Sequence, residues 1–161
     1  MTTLRVGIIT SSDSCAAGAK EDGSGPTLTA LIEERGWQLA GYRLCVDDRA
    51  TLGAAIIELA DVEKADVVFV TGGTGFSPRD VAPEATIDVC DRMAPGIAEH
   101  IRAESMKVTP RAMLSRGVAG LRGRTLVINV PGSPNAARES FGFVAGQLEH
   151  AVAMMAGGGH D

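Results

Sequence analysis

Aromatic residues are scarce in this chain: one Trp, one Tyr and four Phe make up 4% of 161 residues, while 45% are hydrophobic. The core must therefore be built from Val, Ile, Leu and Ala, a composition that suits a parallel sheet covered on both faces by helices. Cysteine is scarce too. Cys15, Cys45 and Cys90 are odd in number, widely spaced and form no C-x-x-C pair, which argues against disulfides and structural zinc and fits a reducing compartment. Positive charge is in deficit, with 15 Lys and Arg against 20 Asp and Glu for a net charge of −5. A groove for a phosphate backbone shows as a basic face, so nucleic acid is not an expected partner. A small phosphorylated ligand, which needs only a few local cations, is not excluded. No apolar run approaches membrane-spanning length, and Met1-Thr2-Thr3-Leu4-Arg5 has no signal-peptide apolar region. The expectation is a cytoplasmic protein without a membrane partner. His100, His150 and His160 show no ligand-like grouping.

What the chain does have is the stretch from Thr71 to Thr86, T-G-G-T-G-F-S-P-R-D-V-A-P-E-A-T. It follows Asp66-Val67-Val68-Phe69-Val70, a β-branched and aromatic run that reads as a buried strand. Gly72, Gly73 and Gly75 let the backbone take φ > 0 and bring its N–H groups close to a ligand. Pro83 suits the first position of a following helix. Strand, glycine loop and helix N-terminus together form a common phosphate receptor in open α/β proteins. The plainer alternative is a tight βα turn with a solvated Arg79 and Asp80. The Walker A pattern is excluded, since Phe76-Ser77 follow Gly75 where Lys-Ser/Thr is needed, and the G-x-G-x-x-G spacing is absent.

The rest of the chain reads as alternating strands and helices. Strands are expected at Leu4–Thr10 and Gln38–Val46, and helices from Pro26 to Gly36, around Leu52–Ala60, from Pro83 to about Met93 and over 97–107. Gly18 to Gly25 reads as flexible and exposed. Val118–Leu121 and Thr125–Val130 form a hairpin about Arg122-Gly123, and a last helix runs from Ser133 (N-cap) and Pro134 to about Met155. The predicted fold class is α/β, a three-layer sandwich with a mostly parallel sheet flanked by helices. One domain is expected over 1–156, with 157–161 as a disordered tail. In one open sheet, the loops at Ser11-Ser12-Asp13, Asp47-Asp48, Thr71–Gly75 and Pro131-Gly132-Ser133 fall on the same edge, where such sheets bind ligands.

That edge mixes N–H-rich turns, which favour anions, with carboxylates, which repel them. Two unit charges about 4 Å apart interact by roughly 1 kcal/mol in water and about 4 kcal/mol in a shielded site. Asp47 and Asp80 would oppose a phosphate unless a cation lay between them, and Mg²⁺ fits because it takes one or two carboxylates plus phosphate oxygens and water. The metal-free alternative is that the aspartates bind polar N–H groups of a ligand, or an arginine.

The Thr71–Thr86 stretch closely resembles that of the molybdopterin adenylyltransferases, the bacterial MogA and MoaB proteins and related domains of gephyrin and plant molybdenum-insertion proteins. The likeness extends to Ser12-Asp13, Asp22-Gly23-Ser24-Gly25-Pro26, Asp47-Asp48, Leu114-Ser115-Arg116, Ala119-Gly120 and Asn129-Val130-Pro131-Gly132-Ser133-Pro134. It implies a homotrimer that transfers AMP from ATP to the terminal phosphate of molybdopterin and releases pyrophosphate. The product is then primed for molybdate insertion and hand-over to an insertion protein. By the same resemblance, Asp47 and Asp80 are the catalytic carboxylates and handle Mg²⁺. Gly72, Gly73, Thr74 and Gly75, framed by Thr71 and Glu84, form the pterin- and phosphate-binding loop. Ser12, Asp13 and Ser115 are substrate contacts, and Pro131, Gly132 and Ser133 a second wall. Ala82 departs from the Thr that many active members carry. A non-catalytic molybdopterin-binding or scaffold protein of the same fold is the alternative. A nucleotide-dependent hydrolase is disfavoured, since neither a Walker lysine nor a water-activating His-Asp pair is present.

Overall fold

The computed structural model describes residues 3–158. Six strands form one sheet: β1 (Arg5–Ser11), β2 (Gln38–Cys45), β3 (Val67–Thr71), β4 (Arg92–Met93), β5 (Ala119–Arg122) and β6 (Thr125–Val130), in spatial order β2-β1-β3-β6-β5-β4. The first four in that order are parallel, and β5 and β4 add an antiparallel margin. The helices are α1 (Asp13–Ala16), α2 (Ser24–Glu34), α3 (Arg49–Ile57, continued by a π turn over Glu58–Val62), α4 (Ala82–Val89), α5 (Pro95–Met106) and α6 (Pro134–Met155). A 3₁₀ turn spans Pro110–Leu114. The expected three-layer α/β sandwich is borne out.

The pleat of β3 shows why helices cover both faces. Every residue of Val67-Val68-Phe69-Val70-Thr71 is buried, and successive side chains point to opposite faces. Val67 and Phe69 join Leu28 and Ile32 of α2, Ile101 of α5 and Phe141, Val144 and Leu148 of α6. Val68 and Val70 join Leu52 and Ile56 of α3 and Ala82 and Ala85 of α4. Small Ala side chains let α4 sit close to the sheet, directly behind the glycine loop. The few aromatics are concentrated on the first face, where Phe141 packs against both Phe69 (ring centroids 5.4 Å apart) and Trp37 (6.0 Å).

One expectation needs correction, and the structure adds detail at two further places. The helix from Pro83 ends at Val89, short of Met93, and Arg92-Met93 pair with Gly120-Leu121 as an edge strand. The Cys90 backbone is extended there (ψ 141°), and no proline marks the change. Second, Gly18–Gly25 is exposed over residues 18–21 and at Gly23, as expected, but is anchored at its far end. Ser24 and Gly25 are buried as the first turn of α2, and Asp22 is hydrogen-bonded inward. Third, α6 closes with a defined cap: Gly157 (φ 92°) donates to the Met154 carbonyl and Gly158 to that of Ala153, the paired bonds of a Schellman motif. The rest of the expected tail, 159–161, lies outside the described residues.

Candidate active site

The strand order reverses between β1 and β3, because the chain moves from β1 to β2 on one side and then returns to β3 on the other. Loops leaving the carboxyl ends of strands at such a point diverge and leave a crevice. Here the crevice is a cleft of about 570 Å³ lined by the ends of β1, β2 and β3, by Gly132-Ser133-Pro134 and by Lys20 to Ser24. The expected convergence of four loops at one edge is what the structure has.

The glycine loop forms the floor. Gly72 (φ 96°) and Gly73 (φ 67°) both occupy the left-handed region. At Gly72 a Cβ would lie 2.4 Å from the Ser11 carbonyl oxygen, so only glycine lets the end of β3 lie this close to β1. A Cβ on Gly132 would be 3.2 Å from the Gly72 Cα, a second close approach from β6. The Thr71 hydroxyl donates to the Pro131 carbonyl at 2.8 Å and joins the two strand ends. Ser133 caps α6 by accepting from the Ala136 N–H.

Two carboxylates face the cleft from opposite flanks. On the β1–β2 flank, Asp47 accepts from the Ser11 hydroxyl (2.6 Å) through Oδ1 and from the Asp13 N–H (3.0 Å) through Oδ2, while the Asp47 N–H donates back to Asp13 Oδ1 (2.9 Å). Arg79 grips Asp13 with two bonds of 2.9 Å from Nε and Nη2. Its guanidinium, and after it the Asp47 N–H, hold the Asp13 carboxyl below its ordinary value. On the glycine-loop flank, Asp80 Oδ2 accepts from the Ser77 N–H at 2.9 Å. Oδ1 accepts no bond among the described residues.

The loop carrying Asp80 is held from behind by Arg116. Its Nε donates to the Gly75 carbonyl (2.8 Å), Nη2 to the Asp80 carbonyl (2.7 Å) and Nη1 to Glu84 Oε2 (2.7 Å), while its backbone N–H donates to Thr74 (2.8 Å). Arg116 holds the Glu84 carboxyl below its usual range. This role escaped the sequence reading. Its place beside Ser115 in Leu114-Ser115-Arg116 is the only local signal for it.

The predicted site residues separate into two groups. Ser12, Asp47, Thr71, Gly72, Gly73, Thr74, Gly75, Asp80, Gly132 and Ser133 line the cleft. Asp13, Glu84, Ser115 and Pro131 do not. Asp13 is committed to Asp47 and Arg79, and Glu84 to Arg116. Ser115 and Pro131 line a shallower cavity of about 270 Å³ that shares Thr74 and Gly75 with the cleft, so the glycine loop is the wall between the two. Asp22 is a further missed residue. Its carboxylate accepts from the Thr10 hydroxyl (2.8 Å), the Tyr42 hydroxyl and the Gly25 N–H (3.1 Å). Burial of the phenol, with Asp22 beside it, pushes Tyr42 up to about 12.

The donor set at the cleft is hard: carboxylates from Asp47 and Asp80, hydroxyls from Ser11 and Ser12, and backbone amides. No group of three or more His, Cys, Asp or Glu side chains placed to hold one metal ion occurs among the described residues. Two oxygen ligands fit a cation that completes its shell with water and ligand oxygens, as Mg²⁺ does.

The family model described as a probable molybdopterin binding domain matches residues 7–150. The chain belongs to that family. The match takes in every cleft-lining residue, from Thr10 to Pro134. Among relatives of this molybdopterin-binding-domain protein, the molybdopterin adenylyltransferase of Helicobacter pylori J99 is 36% identical over 159 residues, covering 98% of this chain and 90% of its own. Gephyrin of Dictyostelium discoideum is 36% identical over 160 residues, which cover 93% of this chain but 22% of gephyrin. The solved structure of the molybdopterin biosynthesis enzyme MoaB from Thermus thermophilus superposes with a TM-score of 0.90 at 41% identity, covering 96% of this chain and 98% of the other. The resemblance to molybdopterin adenylyltransferases and gephyrin domains is therefore borne out.

Proposed function

We propose that this protein is the molybdopterin adenylyltransferase of molybdenum cofactor biosynthesis, transferring AMP from ATP to the terminal phosphate of molybdopterin with release of pyrophosphate. The observation that carries the reading is the pairing of Asp47 and Asp80 across a glycine-floored cleft, in a chain similar over nearly its full length to proteins of that name. A phosphate-monoester oxygen of molybdopterin attacks the α-phosphorus of ATP, and the bond to the β-phosphate breaks. Pyrophosphate leaves with the electron pair. The attacking group is mostly dianionic at neutral pH, its second pKa being about 6, so the site needs no general base. The difficulty is to bring two polyanions together, and positioning and charge neutralisation carry such reactions. The glycine-loop N–H groups orient phosphate oxygens, and the two aspartates would hold Mg²⁺. When bound, the ion would supply positive charge that offsets the repulsion of the phosphates.

The same reading has the protein work in the cytoplasm and deliver its product to a molybdate-insertion protein. Cys15, Cys45 and Cys90 are all free thiols, which suits a reducing compartment. The reading includes assembly as a homotrimer, and a groove of about 640 Å³ between α5 and α6, where Ile97, Phe143 and Met154 lie beside Gly142 and Gly146, is a surface that self-association could cover. Light scattering should give about three times the 16.7 kDa chain mass. The deciding assay incubates the protein with molybdopterin, Mg²⁺ and ATP. Adenylylated pterin with stoichiometric pyrophosphate is the expected result. Molybdopterin binding without pyrophosphate release would identify a binding or scaffold protein instead.

A further inference from the structure

The cleft is electrostatically lopsided. Glu21, Asp22, Asp47 and Asp80 line it, and Lys20 is the single Lys or Arg among its lining residues. The nearby arginines are committed elsewhere, Arg79 to Asp13 and Arg116 to Glu84 and the glycine loop. Lys20 makes no hydrogen bond or ion pair among the described residues.

The fold also fixes where Lys20 stands. On one side, α1 is stopped by Gly18 in the left-handed region (φ 77°). On the other, Asp22 ties the chain to Thr10 of β1, to Tyr42 of β2 and to the Gly25 N–H in the first turn of α2. At Gly25 a Cβ would lie 2.2 Å from Asp22 Oδ2 and 2.7 Å from the Tyr42 ring, so this anchor is tightly packed. Lys20 is thus two residues from a fixed point at the rim. Beside it, Gly23 abuts Pro134, since a Cβ there would be 2.7 Å from the Pro134 Cγ. The positive ends of α2 and α6 therefore meet at this end of the cleft.

Resting on the adenylyl-transfer reading, we propose that Lys20 is a phosphate-binding residue, the cation that receives a phosphate group of one substrate in the cleft that Asp47 and Asp80 also line. A flexible ammonium suits this task as a point charge that follows an anion, where an arginine fork would impose one geometry. The phosphate belongs either to the polyphosphate of the nucleotide or to the pterin.

Calorimetry on the full chain with inorganic pyrophosphate, ATP and molybdopterin, each with Mg²⁺, tests the proposal on wild type, Lys20→Met and Lys20→Arg. Lys20→Met should lose about tenfold in affinity, roughly what one charged contact of 1.4 kcal/mol is worth, and Lys20→Arg should stay within about threefold of wild type. A loss confined to pyrophosphate and ATP assigns the contact to the nucleotide, and a loss confined to molybdopterin assigns it to the pterin. The salt dependence of the affected affinity should be shallower in Lys20→Met, because a screened charge has been removed. The thermal melt reports whether the Asp22 anchor still holds this end of the cleft and should not move. Unchanged affinities in Lys20→Met, or equal losses in Met and Arg variants, overturn the proposal and leave adenylyl transfer standing. Wild type that binds neither ATP nor molybdopterin overturns the functional reading itself.

Discussion

The two flanks of the cleft hold their carboxylates in contrasting ways. On the β1–β2 flank, both oxygens of Asp47 already accept hydrogen bonds, from Ser11 and from Asp13, and the Asp47 N–H returns a bond to Asp13. On the glycine-loop flank, one Asp80 oxygen accepts from Ser77, and the restraint is on the backbone, through the grip of Arg116 on the Gly75 and Asp80 carbonyls. The first carboxylate is fixed by its own oxygens, the second by the chain that carries it. A site can therefore preorganise charge in either way, but the two should respond differently to the same substitution.

Replacing each aspartate by asparagine is the sharpest way to break the symmetry, and has the largest expected effect. Asp80→Asn removes a charge from the reacting region and can turn its amide NH₂ toward the unbonded Oδ1 position. Turnover should fall by about 10²–10³, the usual cost of a lost preorganised electrostatic contact, with molybdopterin still bound and the melting temperature unchanged. Asp47→Asn can keep its Oδ1 on the Asp13 N–H only by turning its NH₂ to the Ser11 oxygen, which accepts but leaves the Ser11 hydroxyl without its acceptor. It should lose activity and also about 1–3 kcal/mol of stability. Pyrophosphate release and thermal melts on both variants decide the matter, and equal melting temperatures would erase the proposed distinction between flanks.

Next in size is the contrast within the loop itself. Gly72→Ala meets a backbone oxygen at 2.4 Å, whereas at Gly73 the nearest atoms, Ala82 Cβ and Ser11 Oγ, stand at 3.3 Å. Both substitutions carry the left-handed penalty of roughly 1–2 kcal/mol. Gly72→Ala should separate the ends of β1 and β3 and abolish ligand binding. Gly73→Ala should fold with only the conformational penalty and retain weakened binding. Calorimetry and melting curves of the pair distinguish the two positions.

The smallest effect is on acid stability. Asp13 and Glu84 both have carboxyls held below their ordinary values of 3.8 and 4.5 by Arg79 and Arg116 respectively. A depressed native pKa means that the unfolded chain takes up protons first, so stability is full above these values and declines as pH falls through the native ones. Glu84→Gln should flatten the acid limb of the melting curve from about pH 4.5 downward, and Asp13→Asn from about pH 3.8. The Asp13 pair is the more exposed and salt should weaken it more. An acid limb that neither variant alters would remove both ion pairs from the account.

Most of the architecture was legible because it rests on local patterns. Val67–Val70 and Leu126–Val130 are apolar runs too short for a helix, and Ser133-Pro134 and Gly36 punctuate helices at their ends. Cleft residues on strand ends were legible for the same reason: topology delivers them to one edge. What the sequence could not show were contacts that depend on long-range docking. Arg116 reaches Gly75 across 41 positions of sequence, and no pattern distinguishes an arginine that clasps a loop from one in water. The place of Asp13 in the first loop says nothing of its pairing with Arg79, which comes 66 residues later. The edge strand at Arg92-Met93 was hidden because pairing with β5, rather than any local propensity, holds it.

The near-contact of Gly132 with Gly72 also has a bearing on descent. A side chain at Gly72 runs into the Ser11 carbonyl oxygen at 2.4 Å, so the end of β1 must move before it fits, whereas one at Gly132 stands 3.2 Å from the Gly72 Cα and needs the glycine loop to give by only a small amount. Drift at Gly132 is therefore open to a lineage whose glycine loop relaxes slightly, while drift at Gly72 is conditional on a rearrangement of β1. A recombinant that takes β1 from one parent and β3 from a distant one is most exposed to failure at this junction.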